Sequence, residues 1–347
     1  MALWHQFPAK TIDNIWRQQA QDYQQTLTKP AGSLGLLESI AVQFSAYQST
    51  LTPVISAVDI VVMAADHGVA AEGVSAFPQA VTAEMVKNFA SGGAAIAVLA
   101  RGLNARLSVM NLGTVTELPA IEGVLNCRIA AGTQNFCVTE AMTRVQFIQA
   151  LDYGKQAAER AAAAGAQLFI GGDMGIANTT AAACVVARLL DKTPEELAGP
   201  GTGLDAVQIQ HKATVIARAL QQHDVTAGAD VLQALGGFEI VALAGAYIAC
   251  AQRGIPVLLD GYIATAAAVA AVAMNPSIQS WLLASHQSAE PAHGIMLQAL
   301  QLQPLLSIGL RLGEGSGAAI AVPLLQAACR LQSEMATFTA AAVSEKL

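Results

Sequence analysis

Residues 58–68 read Val-Asp-Ile-Val-Val-Met-Ala-Ala-Asp-His-Gly. An almost uninterrupted apolar run that stops on a polar, glycine-closed turn is the pattern of a strand buried on both faces of a parallel sheet. Moving outward, the pattern recurs at 106–112, 167–170, 256–259 and 281–284, and more weakly at 304–308. Longer Ala- and Leu-rich stretches with helical spacing lie around these runs, at 11–27, 34–50, 83–101, 143–164, 179–190, 205–221, 237–252, 262–274 and 316–335. Strands alternating with helices predict an α/β fold, a parallel sheet flanked by helices. The polar, Gln-rich first 35 residues and the last 30 or so stand outside that alternation. They predict a small helical domain of 1–35 plus 320–347 beside a large α/β domain of 36–319.

The strand ends carry the first functional signal. The runs close on Asp66-His67-Gly68, Gly171-Gly172-Asp173, Asp260-Gly261 and Ser285-His286. Ligands of open parallel sheets bind outside the carboxyl ends of the strands, so four such ends predict an active site there. At any one end, Asp, His and Gly also serve simply to begin a turn.

Composition removes several classes of function. Of the 347 residues, 54% are hydrophobic, 5% aromatic and 12% charged, against about 25% charged in an average globular protein. Alanine is roughly a fifth of the chain, and its methyl groups raise the hydropathy while permitting close helix packing. The longest uncharged apolar runs, 240–252 and 261–275, fall short of the roughly 18–20 residues of a membrane helix, so no membrane association is expected. The net charge of −7, with 18 Lys and Arg and no basic cluster, gives no footprint for nucleic acid. Cysteines 127, 137, 184, 250 and 329 are widely spaced, with no Cys-x-x-Cys. They read as small buried hydrophobes of a reducing compartment. The first residues lack a basic segment followed by an apolar core, so no secretory leader is expected and the cytoplasm is the expected location.

Three glycine-rich segments carry candidate chemistry. GGDMGIANTT (171–180) follows a strand and opens a helix, an arrangement suited to an anion, most often phosphate, or to an ordinary glycine turn and cap. GPGTGLDAVQIQHK (199–212) repeats it, and places Lys212 two turns beyond Asp205, either as a cation for that anion or as a solvated surface residue. RLGEGSGAA (311–319) sets Glu314 between two glycines in apolar surroundings. A carboxylate there serves as a general base with a raised pKa if it is dry, and is a plain loop residue if it is not. Phe77, Pro78 and Met85 could line a slot for a flat ligand or belong to the core. No HExxH, Cys/His spacing, Walker A loop, dinucleotide fingerprint or GxSxG elbow is present, so no metal and no cofactor is expected.

Together, TKPAGSLGLLE (28–38), AADHGVAAEGVSAFPQAVT (64–82), GGDMGIANTT, LGGFEIVALAG (235–245), PVLLDGYIATAAA (256–268), SHQSAEP (285–291) and RLGEGSGAA resemble the nicotinate-nucleotide–dimethylbenzimidazole phosphoribosyltransferase family, in order from about residue 28 to about 337. The resemblance implies a Rossmann-like parallel sheet, a small helical domain from both chain ends, and a homodimer whose site borrows from the neighbouring subunit. It implies transfer of the ribose 5-phosphate of nicotinate mononucleotide to 5,6-dimethylbenzimidazole, giving α-ribazole 5′-phosphate and nicotinate in cobalamin lower-ligand assembly. A related phosphoribosyltransferase with another base acceptor is the alternative.

By the same resemblance Glu314 is the catalytic base, and Phe77, Met85 and Leu312 hold the benzimidazole. Gly175, Asn178, Thr179, Gly201 and Gly203 take the phosphate, with Lys212 as its cation, and Asp260 and Ser288 contact the ribose or a base. Family members commonly carry Glu where this chain has Asp173, a side chain shorter by one methylene. That difference puts the reach of the carboxylate in question, and with it the choice among benzimidazoles. Glu140 stands where Pro is frequent, with no clear consequence.

Overall fold

The computed structural model describes residues 3–201 and 203–344. Its centre is β1 (Val58–Ala65), buried along its whole length. Around it stand β2 (Arg106–Gly113), β3 (Val124–Asn126), β4 (Leu168–Met174), β5 (Val257–Leu259) and β6 (Leu282–Ala284), all parallel, in the order β3-β2-β1-β4-β5-β6. This is the doubly wound Rossmann order, and the chain reverses its direction of progress between β1 and β4. Asp66-His67 and Asp173-Met174 therefore sit at the switch point, where such sheets open a crevice.

Two strand expectations are corrected, and one strand is added. The 167–170 run continues to Met174, because Gly171 and Gly172 pair in register with Val61 and Val62. The 304–308 run forms one bridge only, Leu306 with His286. The edge strand β3 has three residues, two of them exposed, too little to leave an apolar pattern. Among the helices, 83–101 is broken into Ala80–Ser91 and Ala95–Gly102, since Gly92 ends the first in the left-handed region at φ +82°.

Alanine and glycine are spent on helix contact. Arg144–Ala163 and Phe238–Arg253 pack face to face on one side of the sheet. They pack so closely that a Cβ on Gly154 would run into the Ala242 carbonyl. Tyr262–Met274, buried from Tyr262 to Ala271, packs against Phe238–Arg253 and Asn178–Leu190.

The two chain ends meet. Helix Asn14–Thr26 lies on Leu36–Gln48, which in turn lies on Ser316–Glu334. Leu27 bridges Thr337 antiparallel, and Gln24 Nε2 donates to Gln332 Oε1 at 2.9 Å. Residues 319 and 320 both lie inside the helix that begins at Ser316.

Candidate active site

A cavity of about 390 Å³ opens over the carboxyl ends of β4, β5 and β6. Asp173, Gly175, Asn178, Thr179, Gly201, Ser288, Phe77, Met85, Leu312 and Glu314 line it; Gly203, Lys212 and Asp260 do not. Phe77 and Leu312 are exposed at 51% and 61%, so the apolar end is open to solvent at its rim. A larger cavity of about 640 Å³ lies between Leu36–Gln48, β6 and residues 300–305. Its only charged lining residue is Arg17, so the chemistry belongs to the smaller one.

Three constraints fix Glu314. It adopts φ +65° between Gly313 and Gly315, both at +89°, a strained state for a non-glycine residue that persists only where its surroundings enforce it. Asp260 does so from below. Its Oδ2 accepts the Gly315 N–H at 3.1 Å and its Oδ1 the Ala318 N–H at 2.9 Å, at the N-terminus of Ser316–Glu334. Asp260 thus fixes the loop from behind the cavity lining. Gly172 supplies the third constraint, because only a residue without a Cβ leaves room for the Glu314 carbonyl. The Glu314 side chain is buried, and its Oε2 accepts the Ile96 N–H at 3.3 Å. Burial raises its pKa, the Ile96 amide opposes this and the Asp260 charge adds to it. The result is a carboxylate with an enhanced appetite for a proton.

Asp173 stands across the loop. Burial, then the neighbouring Asp260 and Glu239 charges, push its pKa up to about 8, although Asn178 Nδ2 donates to its Oδ2 at 2.9 Å. At neutral pH this carboxyl is therefore mostly protonated. Its Oδ1 lies 3.4 Å from where a Cβ on Gly313 would stand, so the shorter side chain still reaches the Glu314 loop.

The polar end is organised differently from the expected pattern. The cap of Asn178–Leu190 is Ala177, in the left-handed region at φ +74°, and no side chain caps this helix. Lys212 is 1% exposed, neither a surface residue nor part of the lining. Its Nζ donates to Thr179 Oγ1 at 2.8 Å and to the Gly199 carbonyl at 3.3 Å, tying the 199–201 turn to the helix start. Burial depresses its pKa to about 8. Asp205 caps the helix that carries it, accepting the Gln208 N–H at 2.9 Å.

Sequence reasoning left out Tyr262, His286, Glu290 and Arg311, which also line the cavity. Only the polar close of β6 hinted at His286. The histidines are set by their partners. His293 Nδ1 accepts the Ser288 N–H at 2.8 Å, so its Nε2 carries the proton and donates to Thr265 Oγ1 at 2.8 Å. Burial and the facing His286 depress its pKa to about 3, so it stays neutral. Ser285 Oγ donates to the Leu259 carbonyl at 2.6 Å and lies 2.9 Å from His286 Nδ1. At the switch point, His67 Nε2 lies 2.6 Å from Glu239 Oε1, both fully buried beneath Gly175. Among the described residues, no group of three or more His, Cys, Asp and Glu is arranged to hold a metal ion.

A doubly wound α/β sheet whose strand ends open on a cavity lined by three buried carboxylates, Asp173, Glu290 and Glu314, beside a lysine-braced glycine turn has the form of a small-molecule enzyme. Comparison with known proteins makes this specific. A model of the family described as "Phosphoribosyltransferase" matches residues 9–343. The chain is 56% identical over 346 residues to the nicotinate-nucleotide–dimethylbenzimidazole phosphoribosyltransferase of Pseudomonas fluorescens, covering 99% of this chain and 98% of that protein. Its identity to the enzyme of the same name from Pseudomonas aeruginosa is 52% over 345 residues, again covering 99% and 98%. The crystal structure of CobT from Thermus thermophilus superposes with a TM-score of 0.93 at 44% identity, covering 96% of this chain and all of that one. The chain belongs to the nicotinate-nucleotide–dimethylbenzimidazole phosphoribosyltransferase family.

Proposed function

We propose that this enzyme moves the 5-phosphoribosyl group of nicotinate mononucleotide to a ring nitrogen of 5,6-dimethylbenzimidazole. The observation that carries the reading is Glu314, a buried carboxylate fixed on a strained loop between the apolar rim and the glycine turns. The cavity is of the size that small-molecule sites have, commonly about 300–1,000 Å³.

The chemistry follows from charge. The bond from C1′ to the pyridinium nitrogen breaks, and its electron pair neutralises the leaving nicotinate ring, so departure needs no general acid. The benzimidazole nitrogen attacks C1′ from the opposite face, inverting it. Its other nitrogen sheds a proton, and Glu314 takes it. Phe77, Met85 and Leu312 give the flat acceptor an apolar slot, while Gly175, Asn178, Thr179 and Gly201 receive the phosphate, with Gly203 closing the turn outside the lining. Lys212 acts on the phosphate through Thr179 and the 199–201 turn that it holds. Ser288 faces the ribose or the base.

The same reading includes a homodimer, a cytoplasmic location and a small helical unit formed by the two chain ends. Exposed Val98, Ile320 and Leu312 support the first, as apolar surface suited to a second copy. Five unpaired cysteines support the second. Among the described residues, no helix is long and apolar enough to cross a membrane.

The test is incubation of the purified protein with nicotinate mononucleotide and dimethylbenzimidazole, following nicotinate release. No release with any of several bases across the pH range overturns the reading. Release only with a different base supports the related transferase instead, for which Asp173 in place of Glu is the ground.

A further inference from the structure

The polar end of the cavity holds a charge that the reaction above leaves unused. Glu290 is buried and lines the cavity beside Thr179, Gly201 and Arg311. Its Oε2 lies so close to Gly199 that any side chain there would overlap it. Lys212, on helix Ala206–Gln222, donates to the neighbouring Gly199 carbonyl, and Arg311, on the loop before Glu314, lines the same cavity; their charges and the Gly201 amide favour the ionised form of Glu290. Tyr262, at the start of Tyr262–Met274, lines the same cavity. A backbone amide and a cation on the cavity wall, with a second cation buried behind it, suit an incoming phosphate monoester. Glu290 already stands among them.

We propose that Glu290 is the resident counter-anion of the phosphate cradle: it balances the positive charge there while the cavity is empty and takes up one proton when a phosphate monoester enters. This rests on the nucleotide reading above. Two anions in one dry cradle repel strongly. Displacement is opposed by the packing, since the side chain is buried hard against Gly199 and Ser288 Oγ accepts the Glu290 N–H at 3.2 Å. Protonation is the remaining relief. Burial already favours the neutral acid, and the Lys212 and Arg311 charges with the Gly201 amide hold it ionised. A phosphate that claims the Gly201 amide and the Arg311 charge, and draws on Lys212 through the turn it holds, removes the opposition. The proton comes from solvent, and the resulting carboxyl O–H donates to a phosphate oxygen.

Calorimetric titration of nicotinate mononucleotide into the wild-type protein, at about pH 7 in buffers of differing ionisation enthalpy, reads the proton count directly. Lys212, with its pKa near 8, is already charged there and contributes little. We expect uptake of about 0.5–1 proton per nucleotide bound, and about none with nicotinate riboside, which lacks the phosphate. Glu290→Gln should abolish the uptake and bind the nucleotide roughly threefold to tenfold more tightly, with riboside affinity unchanged. Wild-type uptake near zero, or uptake equal for nucleotide and riboside, overturns the proposal. So does a Glu290→Gln variant that binds the nucleotide about tenfold more weakly, the result expected if Glu290 only balances Lys212. Absence of binding by either ligand to the wild type overturns the phosphoribosyl reading itself, a result distinct from binding without proton uptake.

Discussion

Gly171 and Gly172 are neighbours in β4 whose missing side chains point to opposite faces of the sheet. A methyl group on Gly172 would stand 2.1 Å from the Glu314 carbonyl oxygen, where ordinary contact begins at 3.4 Å, so the loop must recede by roughly 1.3 Å. No rotamer relieves this, because the atom met is backbone and Asp260 anchors the same loop at Gly315 and Ala318. A misplacement of about 1 Å at a reacting group costs on the order of 10²-fold in rate. Overpacking of this kind costs about 1–3 kcal/mol of stability. Gly172→Ala should therefore lower kcat for nicotinate release about 10²-fold, with KM for both substrates within about threefold. Gly171→Ala is the control. Its methyl would meet Leu243 and, at 2.9 Å, the Tyr247 hydroxyl, side chains of Phe238–Arg253 on the far face. It should lose comparable thermal stability and keep kcat within about threefold. A Gly172→Ala enzyme with wild-type kcat, or a Gly171→Ala enzyme equally slow, would refute the dependence of rate on where β4 holds the Glu314 backbone.

Glu314→Gln keeps an acceptor for the Ile96 N–H but takes no proton, so kcat should fall about 10²–10⁴-fold with little change in substrate affinity; retention of more than about a third of kcat places the base elsewhere, with Asp173 first to test. Burial raises the Glu314 pKa above the ordinary 4.5, so wild-type kcat should decline as pH falls through that raised value, and the Gln variant should lack this acid limb. Lys212→Met removes two charge-assisted bonds and should raise KM for the nucleotide about 10–100-fold while leaving kcat within about threefold. With the lysine pKa depressed to about 8, its charge is present below that pH and lost above it; wild-type KM should rise as pH climbs through 8, and a flat profile sinks the assignment. Sedimentation at micromolar concentration should give a dimer of the 35.7 kDa chain, and a monomer there removes the homodimer. Chelator should leave activity intact; inactivation reversed by added metal would contradict a metal-free mechanism.

The parts of the fold legible in the sequence are those whose pattern is local. β1 is a run of eight residues, all but Asp59 apolar and buried on both faces, and the long helices carry their own spacing and caps. What escaped depends on partners distant in the chain. Gly171 and Gly172 read as the end of a strand until register with Val61 and Val62 makes them part of it. Within the site, the glycine segments are visible as motifs, and Glu314 stands out because glycine flanks it. Whether Lys212 faces solvent or Thr179 is decided by the packing of Ala206–Gln222 on Asn178–Leu190, which leaves no mark on either sequence. That Asp260 anchors the Glu314 loop is hidden for the same reason; its partners at 315 and 318 are more than fifty residues away. His286, Glu290 and Arg311 reach the cavity from loops with no periodic signal.

The alanine-rich wall behind the cavity has an entropic consequence. Tyr262 and Ile263 line the site at the start of Tyr262–Met274, and the positions behind them include Ala264, Ala266, Ala267, Ala268, Ala270 and Ala271, all fully buried. A methyl side chain has no rotamer to lose, whereas a buried leucine or methionine gives up about 0.5–2 kcal/mol of side-chain freedom. This wall is therefore ordered at little conformational cost when the chain folds, and little of its motion remains to be quenched when a ligand arrives. Binding energy that a softer wall would absorb in stiffening stays available for holding the two substrates in line.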